Sequence, residues 1–255
     1  MPSLMICYAH PDDESFEGAG LAMKCHAAGI QTVLVTATHG QRGKTGDPPV
    51  CRPEELAEYR ERELREAVRI IGFSALHLLG YEDRQLDQAP PDRIRHSLVS
   101  LIRHHRPVVL LTFDPNGFNA HPDHVAMGRF TIDAVSAAAD PRWAPDAGMP
   151  HLVTRMLWTA PTPPWEAGKV SDLDAQPGVD FLIDISAWKD RKAAALRAHK
   201  TQHLSIDRYF FGQPDPDRLL SVEIYRQGWG PPLTHRPSGD VFEGIDLEQT
   251  SVASG

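Results

Sequence analysis

Short apolar runs rich in Val, Ile and Leu alternate along this chain with longer stretches in which apolar positions recur every three to four residues. The short runs predict strands and the longer stretches predict helices, so their alternation indicates βαβ units around a parallel sheet. We therefore expect an α/β fold, a Rossmann-like and mostly parallel sheet with helices on both faces, in a single domain. The predicted strands cover residues 4–9, 32–38, 75–79, 108–113, 155–159, 181–185 and a less regular 221–225.

Two of the predicted helices are followed by glycines, Gly29 and Gly72, which suit the left-handed conformation that closes a helix. The helix over residues 53–71 has one apolar face for packing on the sheet, and its opposite face carries Glu and Arg for solvent. The predicted helices cover residues 16–28, 53–71, 92–105, 122–139 and 187–199.

Gly- and Pro-rich composition predicts loops at residues 39–52 and 160–178. The first loop contains Gly43-Lys44-Thr45, but Thr38 stands where a phosphate-binding P-loop requires its first glycine, so that motif is absent. Periodicity fades after Pro231. We therefore assign residues 1–230 to one folded domain and residues 231–255 to an extended or mobile tail.

Composition narrows the classes of partner. The 255-residue chain is 41% hydrophobic, which is enough for one large core, and its net charge of -8 comes without any run of Lys or Arg. Nucleic acids and anionic membranes are therefore poor candidates, because both bind clustered cations. Three cysteines without CxxC spacing and the lack of a signal peptide or membrane span predict a reduced, cytoplasmic protein. We expect a small-molecule partner and leave homo-oligomerisation open.

Two clusters of His and Asp follow predicted strands. Residues 8–14 read "YAHPDDE", and residues 113–128 read "FDPNGFNAHPDHVAMG". Because ligands of open α/β sheets bind at the carboxyl ends of the strands, the two clusters are expected to converge on one site. The alternative interpretation of the first cluster is an acidic turn that caps the next helix.

Zinc chemistry accounts for this combination of residues. A catalytic Zn²⁺ takes three protein ligands, often His and carboxylate, and keeps one position for water. His10 and Asp13, three residues apart, supply two ligands, and the second cluster supplies the third. Asp12 then remains uncoordinated beside the metal, where it is placed to take a proton from the bound water.

The chain resembles the LmbE/PIG-L-like deacetylases, zinc-dependent enzymes that remove acetyl groups from N-acetylglucosamine derivatives. Residues 9–14 match the family's A-H-P-D-D-E motif and residues 121–124 match its H-P-D-H motif, within a resemblance that spans about residues 4–202. The resemblance implies one Zn²⁺ per chain, with Fe²⁺ left open. Its implied ligands are His10, Asp13 and His124.

The resemblance also implies catalytic roles. Asp12 would be the general base, His121 would lie beside the reacting carbonyl, and Asp123 would orient His121. We expect a protonated His121, its pKa raised by Asp123, to stabilise the oxyanion. Either Asp12 or His121 would protonate the leaving amine.

Four further residues are candidates for contact with the substrate. Arg60 and Asp83 match positions that face the sugar in similar enzymes, and His199 matches a position near their site. Asn119 stands where some sugar-thiol members carry Tyr, so a hydroxyl contribution to the oxyanion is in doubt.

The expected function is therefore zinc-dependent hydrolysis of the acetyl group from an N-acetylglucosamine derivative, either a small glycoside or a sugar-thiol precursor. Three alternatives stay open. They are a metal-dependent amidase of a sugar-thiol conjugate, a zinc phosphoesterase, and a non-catalytic zinc or carbohydrate-binding protein.

Overall fold

The structure of the protein is a computed structural model, and it describes residues 3–160, 176 and 178–247. All seven predicted strands are confirmed, with small shifts at their ends. They are β1 (Ser3–Tyr8), β2 (Gln31–Thr38), β3 (Ala75–Tyr81), β4 (Val109–Thr112), β5 (Arg155–Thr159), β6 (Phe181–Asp184) and β7 (Val222–Trp229).

The strands form one sheet in the order β3-β2-β1-β4-β5-β7-β6. β1 lies near the middle and pairs in parallel with β2 and β4, so that Ile6 is level with Leu34 on one side and Leu111 on the other. β7 runs antiparallel to both β5 and β6. Every residue of β1 and β4 is buried, which requires cover on both faces of the sheet. The mostly parallel, doubly covered α/β sheet is thus confirmed.

Helices supply that cover in two layers. The long helices α4 and α6 pack together on one side, whereas α2, α3 and α7 pack together on the other. The helices of the described residues are α1 (Asp13–Phe16), α2 (Ala19–Ala27), α3 (Leu56–Ile71), α4 (Pro91–His105), the kinked turn α5 (Gly117–Ala120), α6 (Pro122–Ala139), α7 (Lys189–Ala198), α8 (His203–Ile206) and α9 (Pro216–Ser221). Residues Asp207–Phe211 form a π-helical turn.

The predicted helix over residues 16–28 is confirmed as α2, but α2 starts three residues later than predicted because a separate short helix, α1, ends at Phe16. Glu17 has an extended backbone, and Gly18 adopts a φ of 100°, a left-handed conformation that glycine tolerates well. The break frees the first turn of α2, where the N–H groups of Gly20 and Leu21 donate to the carboxylate of Glu223 on β7. A local sequence pattern does not contain this long-range partner.

Residues 231–247, the described part of the predicted tail, contact the domain. The backbone of Ser238 pairs with Phe181 beside β6, Val241 is buried, and the Val241 carbonyl accepts a hydrogen bond from the buried Arg155. The division of the chain at residue 230 stays a prediction. Most of the predicted loop 160–178 lies outside the described residues.

Within the described ranges, no helix is both long and apolar enough to cross a membrane. The cytoplasmic location stays a prediction.

Candidate metal centre and active site

The two His-Pro-Asp clusters meet at the carboxyl ends of β1 and β4. Residues 10–14 follow β1 directly, and His121 immediately precedes α6, after the loop that leaves β4. β2 lies on one side of β1 and β4 on the other, so the order of strands reverses at this point. Open α/β sheets bind their ligands in the crevice that such a reversal creates.

Three side chains converge there with the spacing of metal ligands. His10 Nδ1 lies 3.2 Å from His124 Nε2, and the two oxygens of Asp13 lie 3.5 Å from His10 Nδ1 and 3.3 Å from His124 Nε2. A tetrahedral ion with bonds of about 2.0–2.2 Å separates its ligands by about 3.3–3.6 Å. The side chains expected from the sequence to be ligands therefore have donor atoms at the separations that a metal ion requires, with Oδ2 of Asp13 toward His10 and Oδ1 toward His124. His121 is near enough to share in the site, since one donor atom from each of His10, His121 and His124 falls within 4.8 Å of the others.

The second nitrogen of His10 is held by two carboxylates. Its Nε2 lies 3.0 Å from Asp123 Oδ2 and 3.2 Å from Asp83 Oδ1. A proton on Nε2 satisfies these acceptors and leaves the lone pair on Nδ1 for a metal, a relay that is typical of metal-binding histidines. Asp123 itself is held by the backbone N–H groups of Arg84, at 2.6 Å, and Leu86, at 3.1 Å.

This arrangement corrects the role expected for Asp123. Its carboxylate contacts His10 and not His121, while its backbone N–H donates to Nδ1 of His121 at 3.2 Å. Asp83 lines the cavity as expected but also supports His10, and it accepts a hydrogen bond from the N–H of Arg42. Burial opposes the charge on Asp83, yet the hydrogen bond and charge of His10 outweigh it and lower the pKa of Asp83.

Asp12 faces the same cavity from a strained backbone. Its φ of 126° is rare for any residue with a side chain, and such strain is often found at functional sites. Its Oδ1 pairs with Arg60 Nη2 at 3.2 Å, and the guanidinium of Arg60 also donates to the carbonyls of Pro11 and Gly40. Burial raises the pKa of Asp12 to about 6, against the opposing effect of Arg60. A carboxylate of that basicity suits a general base.

His121 and Asn119 lie at the edge of the cavity. The side-chain oxygen of Asn119 accepts from the His121 backbone N–H at 3.0 Å. Burial, together with the neighbouring His10 and His124, lowers the pKa of His121, and Asp123 only partly opposes this. The expected rise in the pKa of His121 is therefore wrong. Since Nδ1 accepts from the Asp123 N–H, the neutral ring carries its proton on Nε2.

His199 is not brought into the active-site cavity. It is completely buried behind the first motif, where its Nε2 lies 2.8 Å from Glu14 Oε1 and 3.3 Å from Ser15 Oγ. Burial lowers the pKa of His199, but the charge of Glu14 outweighs this and raises it. Glu14 also accepts from the Asp12 N–H at 3.0 Å, so His199 supports the motif from behind. Its predicted contact with substrate stays a prediction.

The cavity over these groups has a volume of about 340 Å³, within the usual range for small-molecule sites. Arg60, Asp83 and Asn119 line it, as expected for substrate contacts. Its remaining wall combines aromatic and polar side chains, including Phe16, Glu17, Lys44, Arg84, Phe118, Ser205 and Tyr209.

The sequence profile of PIG-L, described as GlcNAc-PI de-N-acetylase, matches residues 5–135, which include both motifs. The chain belongs to the PIG-L family. A relative from Streptomyces avermitilis, named 1D-myo-inositol 2-acetamido-2-deoxy-alpha-D-glucopyranoside deacetylase, is 31% identical over 95% of this chain and 97% of its own.

Solved structures share the fold of this PIG-L protein. A conserved protein from Thermus thermophilus has a TM-score of 0.69 at 25% identity, covering 91% of this chain and 97% of its own. The N,N'-diacetylchitobiose deacetylase from Pyrococcus horikoshii has a TM-score of 0.68 at 20% identity, covering 89% and 83%.

Sequence reasoning missed several residues of this PIG-L site. Glu17 lies four residues after Asp13, a spacing that returns to the same side of a helical turn and was therefore readable. Gln202, Ser205 and Tyr209 follow α7 in short turns that carry no strong periodic signal. Lys44 belongs to the loop that the sequence identified only as irregular.

Proposed function

We propose that this protein is a zinc-dependent deacetylase that hydrolyses the acetamide of an N-acetylglucosamine glycoside with a small polyol such as inositol as its aglycone. The observation that carries the proposal is the metal-ligand spacing of His10, Asp13 and His124 in the cavity that Asp12 also faces. The PIG-L family and the named activity of the Streptomyces relative support the substrate class.

The donor set suits zinc, which takes His nitrogen and carboxylate oxygen in tetrahedral sites, although Fe²⁺ uses the same ligands. When bound, zinc supplies Lewis acidity that polarises the amide carbonyl and lowers the pKa of a coordinated water to roughly 7. The protein's own part is to hold three ligands, to orient His10 through Asp83 and Asp123, and to leave Asp12 outside the ligand set.

Asp12 accepts the proton of the attacking water. Its pKa of about 6 keeps it mostly ionised at neutral pH and still lets it retain a proton once one arrives. Arg60 fixes the position of this carboxylate and favours its charge. The same proton then passes from Asp12 to the nitrogen of the leaving amine as the C–N bond breaks.

His121 acts as a neutral hydrogen-bond donor. Its Nδ1 accepts from the Asp123 N–H, so Nε2–H remains to donate to the carbonyl oxygen as negative charge develops there. This assignment replaces the imidazolium that the sequence suggested, because the lowered pKa of His121 disfavours a charged ring.

The test is to incubate zinc-loaded protein with N-acetylglucosaminyl inositol and with simple N-acetylglucosaminides, and to measure released acetate and free amine. Apoprotein and the Asp12→Asn variant are the controls, and both should release little acetate. Cleavage of a sugar-thiol conjugate amide without any acetate release would replace the proposal with the amidase alternative. Carbohydrate binding without hydrolysis by the metal-loaded protein would leave only a binding function.

A further inference from the structure

Glu17 is a buried carboxyl group in the wall of the active-site cavity that the proposed reaction does not use. It follows α1, which starts at the metal ligand Asp13, and only 3% of the residue is exposed. Its extended backbone, followed by Gly18 at a φ of 100°, places it at the break between α1 and α2. Its side chain lines the same cavity as His10 and Asp12.

Other buried carboxylates nearby have their hydrogen bonds satisfied. Glu223 accepts from Lys192 at 2.7 Å, from the Tyr225 hydroxyl at 2.6 Å and from two backbone N–H groups. Glu14 accepts from the Ser15 hydroxyl at 2.6 Å and contacts His199 at 2.8 Å. Glu17 differs from both, because its carboxyl group has no hydrogen-bond or ion-pair partner in the described part of the chain, and its oxygen atoms are open to the cavity.

The side chains around Glu17 do not provide it with a hydrogen bond or an ion pair. Lys192, the cation whose charge acts on Glu17, is already engaged by Glu223 and by the Phe16 carbonyl. Tyr8, whose pKa is raised by burial and by the charge of Glu17, has a buried hydroxyl that also lacks a partner among the described residues. Burial is likewise the main reason that the pKa of Glu17 is raised to about 8. A neutral carboxyl group offers one donor and one acceptor.

Polar groups that are largely buried are normally hydrogen-bonded, so a carboxyl group that has no partner in the protein and faces a cavity bonds to the molecules that enter that cavity, water or substrate. We propose that Glu17 is a specificity-determining residue whose carboxyl group forms a hydrogen bond with a hydroxyl group on the sugar or polyol part of the substrate. The proposal rests on the deacetylase function proposed above. It names hydroxyl-bearing glycosides, and not apolar amides, as the substrates that this wall selects.

The test compares Glu17→Leu, which removes both hydrogen-bonding atoms at similar volume, with Glu17→Gln, which keeps a donor and an acceptor. For each, kcat and KM are measured on N-acetylglucosaminyl inositol and on its mono-deoxy analogues, with zinc content and Tm. We expect Glu17→Leu to keep its zinc and to lose about 10- to 100-fold in kcat/KM, the loss expected for one hydrogen bond in a buried site. Glu17→Gln should stay within about fivefold of wild type.

Two signatures separate recognition from a structural role. Glu17→Leu should lose the wild-type preference for the glycoside over one particular deoxy analogue, the one that lacks the hydroxyl bound by Glu17. It should not lower Tm, because the substitution removes no hydrogen bond within the folded protein. Glu223→Gln is the matched control, a buried glutamate with its partners in place, and it should lower Tm.

The proposal is overturned if Glu17→Leu keeps wild-type kcat/KM and wild-type ratios across the analogues. It is also overturned if Glu17→Leu lowers Tm as the Glu223 control does while both Glu17 variants lose activity equally. If wild-type protein releases no acetate from any glycoside, the deacetylase function fails separately. The role of Glu17 is then tested by calorimetry, as the affinity of each protein for glucosaminyl inositol. The proposed role is rejected if wild type and Glu17→Leu bind with equal affinity, or if wild type does not bind.

Discussion

Replacing Asp123 with Asn tests which histidine this carboxylate serves. In the structure the carboxylate of Asp123 lies 3.0 Å from His10, a proposed metal ligand, and accepts from the N–H groups of Arg84 and Leu86. Oδ2 accepts from His10 and Arg84 and Oδ1 accepts from Leu86, so asparagine, with its one oxygen, turns its NH2 group either to the Leu86 N–H or to both His10 and Arg84. In both orientations the negative charge beside His10 is lost. Outer hydrogen bonds of this kind contribute about 10- to 100-fold to metal affinity, equal to about 1.4–2.7 kcal/mol. We therefore expect the Kd for zinc to rise by about that factor.

The measurement is competition for Zn²⁺ between the protein and a chromophoric chelator at fixed pH. Asp133→Asn is the control, because Asp133 lies on the same helix as Asp123, pairs with Arg95 and does not line the cavity, and it should leave the Kd nearly unchanged. Circular dichroism checks that Asp123→Asn stays folded. A wild-type Kd for zinc in Asp123→Asn, with kcat reduced at full metal occupancy, would refute the support of His10 and return Asp123 to a role in the reaction itself.

Four more outcomes are expected. Asp12→Asn should keep zinc yet lose about 10²- to 10⁴-fold in kcat, the usual contribution of a general base, and near-normal turnover would reject Asp12 in that role. Arg60→Met removes the cation that lowers the pKa of Asp12, so the acidic limb of the pH profile of kcat/KM should move to higher pH. An unchanged acidic limb contradicts an effect of Arg60 on Asp12. The pKa of His199 is raised in the folded state, so its pairing with Glu14 stabilises the protein below about pH 6.5 and this contribution fades as pH rises through the raised pKa. The difference in Tm between wild type and His199→Gln should therefore shrink from pH 6 to pH 9, and a constant difference argues against it. Removing zinc with a chelator should lower Tm, and restoring the ion should recover it, because a ligand of the native state alone stabilises that state.

The strands of this fold are readable from sequence because a parallel sheet covered on both faces needs nearly continuous apolar runs. Residues 4–9 and 108–113 are such runs, and they became β1 and β4. The long helices were readable from their periodicity, and Gly72 ends α3 at a φ of 90° as expected. The division of α1 from α2 was not readable, since the partner of the freed N–H groups, Glu223, lies some 200 residues away.

The candidate site likewise has features that the sequence predicts and features that it does not. His10, Asp13 and His124 follow strands whose carboxyl ends share one edge of the parallel sheet, so the sequence was enough to predict that they converge. The support of His10 by Asp123 depends on the loop after β3, whose Arg84 and Leu86 N–H groups fix the carboxylate. The sequence does not show that this loop lies against Asp123. The direction of the pKa shift of His121 likewise depends on its burial and on the two histidines packed against it.

The carboxylate of Asp123 joins three parts of the chain: His10 after β1, the Arg84 and Leu86 amides after β3, and its own helix α6. The Arg84 N–H donates to the same oxygen as His10, a proposed metal ligand, and the Leu86 N–H donates to the other oxygen of that carboxylate. Any change in charge on His10 therefore alters the polarisation of both protons through the shared carboxylate. The Arg84 and Leu86 backbone resonances are consequently built-in NMR reporters of metal loading, readable without a label on the metal or the substrate.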